Sequence, residues 1–210
     1  MLACLESRVA DNSVDRIGFR ESGGLDIGIA VLGRILRTQV AGNQSRRQPV
    51  EPDDDGPSGF RGLLIGGEGD VNEAKATALK GYVVAEGPAL WVVGEKTAYA
   101  AAFAPSTVTV DTNIVAGSGE LSTVLVGVAG EVVVTGNQFH ARIEGGAPAL
   151  RLFAFAATVS ANRLRGGRPS GSFEVDPEKL AVLGNLTTNG IEVFGGPLQA
   201  PWGPLNLTNV

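Results

Sequence analysis

The sequence has very few of the residues that build metal sites and covalent crosslinks. Among 210 residues there is one cysteine, Cys4, and one histidine, His140. One thiol cannot close a disulfide within the chain, and one Cys with one His cannot form a zinc cluster. A Ser-His-Asp triad would have to use His140, which we interpret as a surface residue of a strand. We therefore expect no metal site and no cofactor.

Long apolar runs and basic clusters are also missing. The longest apolar run, residues 98–105, is far too short to cross a bilayer, and residues 1–6 lack the charged and apolar regions of a secretory signal. We therefore expect a soluble protein without a membrane span, in a compartment that the sequence does not specify. The 17 Lys and Arg residues are outnumbered by 22 Asp and Glu, for a formal net charge of −5, and no basic stripe appears. Nucleic acid is accordingly not an expected partner.

The chain is rich in glycine, valine and threonine and poor in lysine, glutamate and glutamine. Glycine accounts for 30 of the 210 residues, which is about twice its usual share. This composition favours short strands and tight corners over helices. Hydrophobic residues make up 43% of the sequence, enough to fill a core. We therefore expect an all-β protein.

One sequence pattern occurs four times between residues 108 and 185. Its copies are Val108-Thr-Val-Asp-Thr-Asn113, Val132-Val-Val-Thr-Gly-Asn137, Ala157-Thr-Val-Ser-Ala-Asn162 and Leu180-Ala-Val-Leu-Gly-Asn185. The asparagines are 24, 25 and 23 residues apart (137−113, 162−137 and 185−162). A fixed period in this range is typical of a solenoid, in which each repeat stacks on the next.

Each copy of the pattern predicts a strand that ends in a bend. Apolar residues occupy the fifth and third positions before the Asn, and this period of two indicates one buried face. The Asn then ends the strand, because Asn tolerates the left-handed backbone conformation and its amide bonds nearby backbone. Asparagines in successive coils, roughly 4.8 Å apart, are expected to form a hydrogen-bonded column. The predicted ladder consists of Asn12, Asn43, Asn113, Asn137, Asn162 and Asn185.

The chain resembles the right-handed parallel β-helix of the pectate-lyase-like superfamily, and the resemblance rests on Asn113, Asn137, Asn162 and Asn185 with the strands around them. The resemblance is good over residues 108–193 and looser elsewhere. It implies coils of about 24 residues, each with three short strands and an Asn ladder at one bend. The superfamily includes polysaccharide lyases, glycoside hydrolases, phage tailspikes and adhesins, so the resemblance does not determine an activity. No catalytic motif of the superfamily can be transferred to this chain.

We expect a single β-helix domain over residues 1–210. A charged, Pro-rich stretch at about residues 44–59 predicts an excursion loop from one coil. Within it, Asp53, Asp54 and Asp55 could supply oxygen ligands to a cation, but they lack the spacing of a calcium loop. We therefore interpret them as a solvated acidic run.

The segment between Asn43 and Asn113 lacks the asparagine signal. Its length of 70 residues (113−43) is close to three periods, so we expect two further coils with other residues at their bends. Residues 25–37 predict two short strands, with a single helix as the alternative. Residues 70–79 contain good helix formers and predict a short helix.

The last part of the chain, at about residues 196–210, is rich in proline. Asn209 follows Asn185 by 24 residues (209−185), but the apolar residues before it are at the wrong positions. We therefore expect a terminal coil or cap that departs from the ladder, with Trp202 over the open end of the core.

Candidate site residues are few. Glu174 and Asp176 are two residues apart, which places them on one face of a predicted strand and makes them the best pair of catalytic acids. Surface solubility explains this pair as simply. The outer face before the Asn column supplies candidate binding residues, although β-propensity also accounts for them. They are Thr109, Thr135, Thr158 and Ser160.

The sequence leaves three functional hypotheses. The regular ladder favours a non-catalytic module for structure or recognition, such as a subunit of a bacterial or phage-derived surface or fibre assembly. Such a module would meet an assembly partner or another copy of itself at an end or a side of the solenoid. The second hypothesis is a polysaccharide lyase or glycoside hydrolase, and the third is a module that binds a polysaccharide without turnover.

Overall fold

The computed structural model describes residues 3–17, 25–32, 34–47, 59–66, 76–79, 82–85, 107–117, 122–127, 130–141 and 146–208. This part of the chain is almost entirely β-structure. Two 3-10 helices occur at Pro177–Lys179 and Gly203–Leu205, and the described residues contain no α-helix. The all-β prediction is confirmed for these residues.

Most strands belong to three sheets, which we call A, B and C. Six-stranded sheet A contains, in spatial order, β1 (Ala3–Ala10), β4 (Arg34–Ala41), β9 (Thr107–Asp111), β12 (Glu131–Thr135), β15 (Ala156–Ser160) and β18 (Leu180–Leu183). Seven-stranded sheet B contains β2 (Ser13–Ile17), β5 (Gln44–Arg47), β10 (Ile114–Gly117), β13 (Gln138–Ala141), β16 (Arg163–Arg165), β19 (Leu186–Thr187) and β22 (Leu207–Thr208). Seven-stranded sheet C contains β3 (Leu25–Leu32), β6 (Gly59–Gly66), β11 (Val124–Gly127), β14 (Leu150–Phe153), β17 (Gly171–Glu174), β20 (Ile191–Val193) and β21 (Gly196–Pro197).

The chain visits the three sheets in rotation. From β9 in sheet A it passes to β10 in sheet B, to β11 in sheet C and back to β12 in sheet A. Neighbouring strands within the sheets are parallel, apart from the antiparallel pair β20–β21. Stacked coils produce this pattern, because equivalent strands of successive coils run in the same direction. The fold is therefore consistent with a parallel β-helix or solenoid.

Inward-facing residues of successive coils stack in columns and fill the core. In sheet A one column consists, in register, of Val40, Val110, Val134, Val159 and Val182, each with 0% exposure. Burying one such side chain contributes about 1.5–3 kcal/mol. The column explains why the third position before each Asn is apolar, and it confirms the predicted alternation.

The prediction of two further coils between those of Asn43 and Asn113 is wrong for the described stack, where these two coils are direct neighbours. Strand β4 pairs directly with β9, β5 with β10 and β6 with β11. Residues 67–106 are therefore an insertion between β6 and β9, within a single coil. A fold tolerates long insertions because each increase in loop length adds only a small entropic cost. The closeness of this segment's length to three coil periods therefore does not indicate additional coils.

Strand predictions elsewhere had mixed outcomes. The two strands predicted within residues 25–37 are confirmed, since β3 ends at Leu32 and β4 begins at Arg34. The helix predicted at residues 70–79 is wrong where the structure describes it, because β7 (Ala76–Leu79) pairs antiparallel with β8 (Tyr82–Ala85). Helix propensity is a weak preference that strand pairing overrides. Residues 48–58, including Asp53, Asp54 and Asp55, lie outside the described residues.

Candidate functional site: the asparagine ladder and the outer sheet faces

The bend between sheets A and B is held by a continuous ladder of asparagine side chains. In the central step, Asn113 donates from its backbone N–H and from Nδ2 to Oδ1 of Asn137, each at 2.9 Å. Nδ2 of Asn113 also donates to the backbone oxygen of Val40 in the preceding coil. The same arrangement links successive asparagines from Asn12 to Asn185, so the predicted ladder is observed.

The inner asparagines of the ladder are buried amides whose donors and acceptor form hydrogen bonds. Asn43, Asn113, Asn137, Asn162 and Asn185 are each at most 1% exposed. A buried amide that lost a partner would cost about 1–3 kcal/mol. The ladder therefore fixes the register of neighbouring coils, because a shift by one residue would leave buried amide groups unpaired.

The sharp turn at each bend is made by the residue before the Asn, not by the Asn itself. Positive φ angles occur at Asp11, Gly42, Thr112, Gly136, Ala161 and Gly184, between 53° and 67°. The expectation that the Asn itself takes the left-handed conformation is therefore wrong, because the residue immediately before it does so. Glycine adopts this conformation without strain, while other residues pay roughly 1–2 kcal/mol. Asn at the next position is then free to use its whole amide for the ladder.

The ladder has one more step than the sequence predicted. Asn185 donates from N–H and Nδ2 to Oδ1 of Asn206, at 3.0 and 2.8 Å. Asn206 in turn donates from Nδ2 to the backbone oxygens of Val182 and Trp202, and it lies 21 residues after Asn185. The terminal segment therefore continues the ladder through Asn206. Trp202 is partly buried against the core, as expected of a residue that covers its end.

The carboxylates of Glu174 and Asp176 have separate cationic partners. Glu174 ends β17 and accepts a hydrogen bond from Nη2 of Arg151 at 3.2 Å. Asp176 lies beyond the strand, where its carboxylate accepts from the backbone N–H of Glu178 and caps the 3-10 helix. Lys179 Nζ lies 3.9 Å from Oδ2 of Asp176. The structure thus gives each carboxylate a structural contact, and neither contact joins the two.

The Thr and Ser candidates all lie half-buried on sheet A. Thr109 and Thr158 lie in one column, separated by Val133, with Gln39 as the next neighbour of Thr109. Thr135 and Ser160 are register partners in the adjacent column, and the Ser160 hydroxyl donates to the Thr135 hydroxyl at 3.1 Å. The face therefore presents side-chain hydroxyls in two parallel columns.

Sheet B carries a basic column that linear reading of the sequence does not reveal. Arg46, Ala116, His140 and Arg165 are successive register partners on β5, β10, β13 and β16. Arg46, His140 and Arg165 are exposed, so the surface interpretation of His140 is confirmed. These residues come from different coils and become neighbours only through stacking. Basic residues that repeat at intervals of about one coil length are the sequence signal that indicates this column.

In the described part of the chain, no three His, Cys, Asp or Glu side chains are close enough together to hold a metal ion. Its helices include none with the length and hydrophobicity that a membrane-spanning helix requires.

The fold and the ladder together define a class of protein: parallel β-structure in stacked coils, with buried asparagines stacked at one bend. This class is compatible with the β-helix that the sequence pattern resembles. Comparison of the chain with protein-family models, with curated proteins and with solved structures gave no match.

Proposed function

We propose that this chain is a non-catalytic β-helix module for structure or recognition, a subunit of a bacterial or phage-derived surface or fibre assembly. The observation that carries the proposal is the unbroken ladder from Asn12 to Asn206. Such a ladder makes a regular rod whose coils are mutually locked. A rod of this kind is suited to holding partners at a fixed separation.

The finer assignment is a right-handed parallel β-helix of the pectate-lyase-like type with coils of about 24 residues. Crossovers between parallel strands of one sheet are right-handed in about 98% of proteins, which supports this hand. Ladder steps of 24, 25 and 23 residues support the coil length.

The two ends of the ladder differ, and this difference favours a partner at the end that carries Asn12. Among the described strands, β1 and β18 are both edge strands of sheet A, with β4 and β15 as their single neighbours. Next to β18, however, the N–H of Gly184 donates to the carbonyl of Leu205 in the terminal segment. Asn206 at the other end already donates from Nδ2 to Val182 and Trp202 of its own chain. A strand edge without a neighbour can pair with a strand of another chain. We therefore assign the β1 edge as the assembly surface.

Light scattering of the purified chain tests this proposal, with the same sample screened against a panel of polysaccharides for turnover. A defined oligomer or a concentration-dependent series of subunits is the expected result. A monomer that cleaves a glycan would contradict the proposal and favour the hydrolase or lyase hypothesis with Glu174 and Asp176.

Binding of a polysaccharide without turnover is the second candidate. It is favoured by the half-exposed column of Gln39, Thr109 and Thr158 on sheet A, since amides and hydroxyls are suited to hydrogen bonding with sugars. Thr109→Val and Thr158→Val should each weaken binding to a glycan identified in the panel. Unchanged binding in both variants would show that this face of sheet A does not bind the glycan.

A further inference from the structure

The last two Asn bends are surrounded by solvent-exposed leucines. Leu183, Leu205 and Leu207 are 41%, 51% and 61% exposed, and Leu186 is half-buried beside them. Leu186 and Leu207 are register partners, and the carbonyl of Leu205 accepts from the N–H of Gly184, next to Leu183. We call these four residues the leucine patch. Single exposed leucines are ordinary, but a contiguous group indicates a contact surface.

Two arginines without ionic partners border the leucine patch. Arg163 on β16 is the register partner of Leu186, and Arg165 lies two residues further along the same strand. Neither guanidinium forms an ion pair with a carboxylate of the described residues. Nε of Arg163 is buried without a hydrogen-bond partner, so this side chain is held against the sheet. A guanidinium held in place loses little freedom when it binds an anion.

The two outward columns of sheet B that contain the arginines have no acidic residue among their described members from β10 onward. The outward column beside the arginines contains Ile114 and Gln138 before Arg163, and the adjacent column contains Ala116 and His140 before Arg165. No described residue of these two columns on β10, β13, β16, β19 or β22 is an acid. On a chain with a formal net charge of −5, this local positive charge attracts anions.

Arginines and leucines together select the kind of partner. A soluble polyanion would pair with Arg163 and Arg165 but would leave the leucines in water. An apolar protein surface would cover the leucines but would leave the arginines without anions. An anionic lipid surface satisfies both, because leucines enter the headgroup–acyl boundary while arginines bind phosphates. The patch also lies on a convex bend, with Leu183 on sheet A and Leu207 on sheet B, and a deformable surface can contact both sides.

We propose that the leucine patch, with Arg163 and Arg165, docks the end of the solenoid on anionic phospholipid. This peripheral contact is independent of the assembly proposed above, which uses the β1 edge.

Flotation with lipid vesicles tests the proposal. The chain should bind vesicles of equimolar phosphatidylglycerol and phosphatidylcholine, should bind pure phosphatidylcholine vesicles at least about tenfold more weakly, and should be released by high salt. Arg163→Gln with Arg165→Gln should lower the partition coefficient about 25-fold, since each arginine near an anionic surface contributes about fivefold. Leu205→Ser with Leu207→Ser should lower it about tenfold or more.

Matched controls use residues with the same chemistry elsewhere. Arg8→Gln changes an exposed arginine of sheet A, and Phe194→Ser changes a 63% exposed apolar residue on the sheet C side. Both should leave vesicle binding within about twofold of the unchanged chain, and circular dichroism should show each variant folded. Equal binding to both vesicle types, no binding to either, or an equal loss in the Arg8→Gln control would overturn the proposal. Binding to dextran sulfate that the leucine variants do not weaken, without vesicle binding, would assign the surface to a soluble polyanion instead.

Discussion

Asn43 donates from Nδ2 to Oδ1 of Asn113 at 2.9 Å, although the two residues are 70 positions apart in the sequence. The backbone N–H of Asn43 donates to the same oxygen at 3.0 Å. This contact makes coils that are distant in sequence adjacent in space. It also separates the chain into a stack of coils and an insertion at residues 67–106 that the stack does not need for its continuity.

Loss of a central ladder amide should destabilise the protein strongly. Asn137→Ala removes the acceptor of Asn113 and the donor to Val110 and Asn162. Because these groups stay buried, the free energy of unfolding should fall by about 3 kcal/mol or more. Urea unfolding followed by fluorescence measures the change.

Two matched variants show whether this loss comes from the ladder. Gln138→Ala, at the exposed position after the same bend, should change stability by less than about 0.5 kcal/mol. Asn12→Ala, at the exposed end of the ladder, should cost about 1 kcal/mol. A loss at Asn137 no larger than that at Asn12 would show that burial of the ladder does not stabilise the fold.

Relief of backbone strain before Asn162 should stabilise the protein. Ala161 has a φ of 55°, while Gly136 and Gly184 occupy the equivalent positions of neighbouring coils. Ala161→Gly should therefore raise the free energy of unfolding by about 0.5–1 kcal/mol. The reciprocal change Gly136→Ala should lower it by a similar amount, because its new Cβ would have space but an unfavourable φ. Thermal unfolding measures both changes. A lower Tm for Ala161→Gly than for the unchanged chain would contradict the assignment of strain to this bend.

Neutralising the two candidate acids should have little effect. Glu174 and its partner Arg151 are 40% and 27% exposed, so water screens their ion pair. Glu174→Gln and Asp176→Asn should each change stability by less than about 1 kcal/mol. Arg151→Ala should cost more, because its stem and its contact with the Phe153 ring, 5.1 Å from Cζ to the centroid, are also lost. Loss of a glycan-cleaving activity in either carboxylate variant would show that the pair is catalytic after all.

Replacing the insertion should leave the coil stack intact. Residues 128–130 join β11 to β12, so a link of this kind suffices between a strand of sheet C and the next strand of sheet A. A chain in which that link replaces residues 67–106 should keep its β circular dichroism spectrum and cooperative unfolding. An unfolded product would mean that the insertion is required for folding.

The period and the buried face of the coils were predictable because they are local. Val110, Val134, Val159 and Val182 repeat at nearly constant separation, and each precedes its Asn by three residues. The positions of Asn43 and Asn113 in neighbouring coils were not predictable, since an insertion obeys no period. Asn206 was missed because its preceding residues form a 3-10 helix, Gly203–Leu205, instead of a strand.

The surfaces were harder to predict than the core. Arg46, His140 and Arg165 align only after the stacking register is known, and the register depends on the insertion. Glu174 and Asp176 have different contacts because β17 ends at Glu174 and Asp176 caps the 3-10 helix that follows. Alternation along the sequence cannot locate a strand end when the next residues, Val175 and Asp176, continue it.

Crosslinking of Gln39 to Thr109 tests the central claim most directly. These residues are register partners on β4 and β9, so their Cα atoms lie one strand spacing apart, roughly 4.8 Å, which suits a disulfide. With Cys4 replaced by Ser, the double variant Gln39→Cys with Thr109→Cys should form an intramolecular disulfide under mild oxidation, seen as a mobility shift on a non-reducing gel. Gln39→Cys with Thr158→Cys, about three strand spacings apart, should not. Failure of the first pair to crosslink in folded protein would contradict the direct stacking of the Asn113 coil on the Asn43 coil.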